Sequence, residues 1–169
     1  MARKYGRYHC GIWTDKDYQS LDPYHQGIYA ALIAYPDISW CGVIDYMPKR
    51  LIKISDHLSV ETLDDALRFL ASQFFLVIDD ESEEILVRTF IRWDGVLHQK
   101  NVGKAMVTAL RKVKSQQIKD AIVTELIQLR RAEPDVKGWE GVEELAPNMY
   151  EGICDYADDP SWKPYGSAA

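Results

Sequence analysis

The chemistry this 169-residue chain could do rests on its cations. Lys100, Lys104, Arg111, Lys112, Lys114 and Lys119 crowd one short stretch. Lys104 and Arg111, seven apart, share a helical face with Lys100, a pattern that tracks phosphates or meets an acidic partner. An ordinary surface helix offset by acids elsewhere fits the same residues. Lys49, Arg50 and Lys53 form a second basic group, suited to crossing a DNA backbone or to plain solvation. Arg88 and Arg92, four apart in an alternating run, would project from one strand face. There they meet either phosphate or the nearby Asp79, Glu83 and Glu84. Arg68 is the obvious candidate to read a base.

Other chemistries have less to work with. His9, His25, His57 and His98 show no metal-ligand spacing with Cys10, Cys41 and Cys154. The acids from Asp79 to Glu84 have the composition of a solvated turn. No phosphate-cradling glycine loop or nucleophile elbow is present. The expectation is a non-enzymatic protein with no cofactor and no metal site. Three widely spaced cysteines suit a reducing cytosol. No apolar run approaches the length of a bilayer-spanning helix, and the first residues do not read as a secretory signal. A cytoplasmic location is therefore expected.

The net charge of −6 hides three blocks. Residues 1–93 hold 10 basic and 14 acidic residues, residues 94–131 hold 8 and 3, and residues 132–169 hold 2 and 9. The expected organisation is a domain over 10–95, a basic helical extension over 96–131, and an acidic, loosely structured tail over 132–169. A tail folded over the basic helix would weaken binding to nucleic acid.

The elements that must position the cations follow from local pattern. His9 to Trp13 suits an edge strand. Asp22-Pro23 opens a helix running to Tyr35, with Tyr24, Ile28, Ala31, Leu32 and Tyr35 on one face and Pro36 as its stop. Trp40 to Ile44 suits a strand, and Pro48 starts a basic helical turn. Ser59 is placed to cap a helix whose Leu63, Ala66, Leu67 and Leu70 point inward. Glu61, Asp65, Arg68 and Ser72 then point outward. Phe74 to Ile78 and Glu84 to Arg92 read as two strands joined by an acidic turn, the second with Ile85, Val87, Thr89 and Ile91 on one face. Val102, Met106, Ala109 and Val113 share a face of a helix beginning near Asn101, and Ile118, Ile122, Leu126 and Leu129 continue it. The phase shift at Ser115-Gln116-Gln117 fits two helices or one bent one. Beyond Pro134 glycines and prolines interrupt the pattern, although Trp139, Leu145, Tyr150 and Trp162 could dock.

Helix, helix, strand, turn, strand within residues 48–92 predicts an α+β, mainly α-helical fold. It is a winged helix-turn-helix with a C-terminal helical extension. The segment from Leu58 to Leu70, followed by Phe74 to Asp79, Glu84 to Phe90, Ile91-Arg92-Trp93-Asp94 and His98-Gln99-Lys100, resembles the N-terminal winged-helix domain of phage and prophage replication initiators. These are the replisome organisers and the DnaD-like primosomal proteins. Trp13-Thr14-Asp15 and the helix ending in Tyr35-Pro36-Asp37 are also similar to helix-turn-helix DNA-binding proteins of actinobacterial phages. The likeness covers about residues 10–115. It implies binding to origin or single-stranded DNA, self-association, and recruitment of helicase or primase.

The expected function is non-enzymatic binding of double- or single-stranded DNA, in replication initiation or transcription regulation. The expected contacts are Lys49, Arg50, Lys53, Arg68, Arg88, Arg92, Lys100, Lys104, Arg111, Lys112 and Lys114. A homodimer would form through Val102, Met106, Ala109 and Val113. The alternative is a docking module that holds a host or replisome protein instead of DNA.

Overall fold

A computed structural model describes residues 6–7 and 10–148. Helix α1 (Lys16–Ser20) is capped by Asp15, whose carboxylate accepts from the Asp17 and Tyr18 amides. Helix α2 (Pro23–Ile33) is capped by Asp22, with Pro23 where a missing N–H is harmless. Strand β1 (Val43–Asp45), helix α3 (Pro48–Leu51) and helix α4 (Val60–Ser72) follow. Strand β2 (Leu76–Asp79) and strand β3 (Glu84–Val87) form a hairpin. The extension holds α5 (Phe90–Trp93), α6 (Lys100–Leu110), α7 (Gln116–Ala132) and α8 (Gly138–Leu145). Residues 111–115 separate α6 from α7, so the phase shift marks two helices.

The three strands form one antiparallel sheet in the order β1-β3-β2, with Ile44 and Ile78 both opposite Ile85. Both α4 and α7 pack against β2, and every residue of β3 is buried. Gly42 makes the approach to β1 at φ +83°, and a Cβ there would lie 2.8 Å from Phe90 Cβ, so both backbone and space demand glycine.

Helix α4 forms as its pattern predicts. Ser59 accepts from the Thr62 amide while Thr62 Oγ1 accepts from the Ser59 amide, a reciprocal cap. Leu63, Ala66, Leu67 and Leu70 are its buried residues. It ends with the Phe75 amide bonded to the Leu70 carbonyl and the Phe74 amide to the Ala71 carbonyl. Phe74 therefore takes φ +62°, a left-handed position normally filled by glycine, yet its side chain is exposed. Phe74→Gly should raise the unfolding free energy by about 0.5–1 kcal/mol. Urea titration would check this, and a loss of stability would mean the ring contributes more packing than its exposure suggests.

Several expectations are corrected. Cys10–Thr14 is a 3-10 helix, not an edge strand: Thr14 Oγ1 donates to the Gly11 carbonyl and the Asp15 amide to that of Ile12, which coils the segment. His9 lies outside the described residues. Strand β3 stops at Val87, where the expected strand ran to Arg92, and Phe90–Trp93 is helical. A strand covered on both faces carries no solvent-side alternation to mark its end. In the segment expected to be loosely structured, Gly138–Leu145 is a helix with Trp139 and Val142 buried. The remainder of that tail from residue 149, Tyr150 and Trp162 included, lies outside the described residues.

Helix α8 owes its place to glycines. It lies so close to α6 that a Cβ on Gly103 would stand 2.3 Å from the Gly138 carbonyl oxygen. One on Gly138 would stand 2.3 Å from the Leu97 oxygen, and one on Gly141 2.1 Å from the Lys100 oxygen. The expected self-association face is consumed by the chain itself. Met106 and Val113 are buried in the core, and Val102 and Ala109 pack against it partly covered.

Candidate nucleic-acid interface

The eleven expected contacts divide into occupied and open groups. Arg88 Nε lies 3.0 Å from Glu125 Oε1, and both side chains are almost wholly buried. Arg88 also donates to the Phe74 carbonyl. Burial pushes the Glu125 carboxyl above its ordinary value, with the charges of Arg88 and Arg92 pulling the other way. Arg88 thus turns inward to α7, and Arg92 stands on α5, where its charge acts on the same carboxylate. Neither extends from a strand toward solvent as the alternating pattern suggested.

Arg68 is exposed but engaged. Its Nε lies 2.9 Å from Asp64 and its Nη2 2.8 Å from Asp80 in the hairpin turn. The Tyr46 hydroxyl, which also bonds Asp64, accepts a further bond from Arg68. Burial first, then the bond to Asp64, pushes the Tyr46 phenol up to about 12. The expected base reader instead ties α4 to the turn between β2 and β3.

On α6 the acidic helix α8 meets the basic face. Lys100 Nζ stands 3.1 Å from Glu144 and 3.6 Å from Glu140, and Lys104 also pairs with Glu144. Arg111 donates to the Leu145 carbonyl. Hydrogen bonds from Lys104, then Lys100, hold the Glu144 carboxyl below its ordinary 4.5. A depressed carboxylate contributes stability above its unfolded value and loses it as pH falls through the folded one. Hydrogen exchange of α8 amides should therefore quicken as pH drops below about 4.5, beyond the intrinsic pH effect. Glu144→Gln should abolish that extra change; an identical profile in the variant would detach the ion pairs from the docking of α8.

The open cations lie elsewhere. Lys49, Arg50 and Lys53 are exposed on α3 and the 3-10 turn after it, as are Lys112 and Lys114 between α6 and α7. Among the described residues, no ion pair engages any of the five. Arg50 and Lys112 line one open cleft of about 190 Å³, with Tyr35, Asp37, Asp45 and Glu84 also on its walls. The junction bearing Lys112 and Lys114 is fixed there because the buried Glu84 carboxylate accepts from the Lys114 and Ser115 amides. Arg50 and Lys112, far apart in sequence, are thereby brought to one cleft.

No family model, curated protein or solved structure matches this chain. No helix among the described residues is long and apolar enough to cross a membrane, and no group of three or more His, Cys, Asp or Glu among them could hold a metal ion.

The sequence reading passed over the residues with the greatest structural consequence. Glu84 and Glu125 look like surface acids in sequence, although a carboxylate inside an otherwise apolar run is a usable signal of an internal partner. Helical spacing sets Tyr24 on one face with Ile28 and Leu32. It instead stands exposed and donates from its hydroxyl to the Thr62 carbonyl, while the buried Tyr29 takes the inward place.

Proposed function

We propose that this chain is a winged-helix DNA-binding protein of phage or prophage type, cytoplasmic, acting in replication initiation or transcription control. The observation that carries the reading is the convergence of Arg50 and Lys112 on one cleft beside a helix pair and hairpin. The order α2-β1-α3-α4-β2-β3, with β3 central in the sheet, supports a reading as a winged helix-turn-helix. Lys49 on the same short helix, Lys53 on the turn after it and Lys114 two residues beyond Lys112 supply further exposed cations, beside the acids Asp37, Asp45 and Glu84 of the cleft.

Such a surface binds mainly through phosphates. Phosphate contacts supply affinity and orientation, and sequence is read by groups that reach base edges. Helix α4, the element that would enter a groove, carries Glu61 and Asp65 outward and has Arg68 engaged by Asp64 and Asp80. Binding is therefore expected to be salt-sensitive and weakly sequence-selective. Self-association and recruitment of a helicase or primase are extensions of this proposal that follow from the family resemblance alone.

Titrating DNA affinity against salt tests it. Arg50→Ala with Lys112→Ala should reduce the slope of log K on log salt by about two. Arg88→Met, which removes a buried cation, should leave the slope of the folded protein as it was. Absence of any salt-dependent binding to duplex or single-stranded DNA overturns the proposal.

A further inference from the structure

The outward side of α4 has a composition that DNA binding does not explain. Phe69 is 40% exposed and Tyr24 on α2 is 45% exposed, large fractions for aromatic side chains beside a well-filled core. They belong to one continuous surface. The His25 ring lies 4.1 Å from that of Phe69 and 5.2 Å from that of Tyr24, and the Tyr24 hydroxyl bonds the Thr62 carbonyl. Asp65 precedes Phe69 by one helical turn and Glu61 precedes Asp65 by another, so acids and aromatic follow one another along the helix. Val60 is exposed at its start and Phe74 just past its end.

Charge decides what such a face accepts. Glu61 and Asp65 have no ion-pair partner among the described residues, and Arg68 is turned to Asp64 and Asp80. Phosphates and anionic lipid headgroups are repelled by two unpaired carboxylates. A cationic, partly apolar segment is attracted three ways: by the carboxylates, by apolar contact with Phe69 and Val60, and by its cations over the faces of Tyr24 and Phe69.

We infer that the α2–α4 face is a docking surface for a protein partner that presents a basic amphipathic helix. The 13 residues of α4 span about 20 Å, enough to lie along three to four turns of such a helix in a helix-on-helix arrangement. This inference uses none of the cations proposed to contact phosphate, but it gives to a protein partner the outward face of α4 that the DNA reading would set in a groove.

The test uses the full chain and a labelled synthetic helix of about four turns, with leucine on one face and lysine and arginine beside it. A counterpart has glutamate in place of the cations. Fluorescence anisotropy should show saturable binding of the basic peptide only. Affinity should fall about tenfold for Phe69→Ser and comparably for Glu61→Gln with Asp65→Asn, as for loss of a central contact. The second variant touches no packing, so it serves if the first disturbs the fold. Lys49→Ala with Lys53→Ala should leave peptide affinity unchanged. Equal binding of both peptides, or affinity indifferent to the α4 variants, overturns the inference. Self-association in sedimentation that Phe69→Ser abolishes also overturns it, since the occupant would then be a second copy of this chain.

Discussion

Glu125→Ala is expected to lower the unfolding free energy by about 3–5 kcal/mol, the largest effect of any single substitution considered. The change leaves the Arg88 guanidinium deep in the fold without its carboxylate, 3.0 Å away in the intact protein. A buried cation stripped of its partner loses both its hydration and its Coulomb attraction. The size of the loss measures the orphaned charge and not the net worth of the pair. Arg88→Met combined with Glu125→Leu should therefore recover most of the stability, because two apolar side chains of similar volume need no compensation. Urea denaturation of Arg88→Met, Glu125→Leu and the double variant forms the necessary cycle, with Glu125→Ala measured beside them. A Glu125→Ala loss under about 1 kcal/mol would mean that water reaches the pair.

Gly141→Ala should have the second large effect. Its Cβ would enter at 2.1 Å from the Lys100 carbonyl oxygen, and the obstacle is helical backbone that cannot rotate aside as a side chain can. Overpacking of this kind costs about 1–3 kcal/mol or more. It should lift α8 from α6, expose Trp139 and separate Glu140 and Glu144 from Lys100 and Lys104. Hydrogen exchange should report local opening of α8 with α4 protected as before. If DNA binds as proposed, the released lysines should make its affinity more salt-dependent, by about two phosphate contacts. Unchanged protection of α8 would show that the two backbones can part without penalty.

These two sites also mark how far sequence could be read into structure. The inward stripe of α4 and the Ser59 cap were legible because one face of that helix meets solvent, which gives a clean amphipathic period. Strand β3 lacks that contrast, so its end and the inward turn of Arg88 were hidden. An arginine in an apolar run looks the same in sequence whether it faces phosphate or a buried glutamate. Helix α8 was hidden for a different reason. Gly138 and Gly141 lower helix propensity and read as breaks, yet they let the helix back onto α6. The basic face through Lys100 and Lys104 was correctly located on α6, but spacing alone does not say what lies across from it. Convergence of Arg50 with Lys112 was likewise out of reach, since it depends on a long-range contact.

The Glu84 carboxylate has a consequence for how this polypeptide could be divided. Its oxygens accept from the Lys114 and Ser115 amides, so a sheet residue holds the start of α7. Excising residues 10–95 would strand that acid against apolar neighbours and uncover the side of β2 on which α7 rests. The sheet and its extension therefore have to travel together through recombination. A cassette cut after the hairpin would inherit a defect, and a graft of α6 and α7 onto another scaffold would arrive without its anchor.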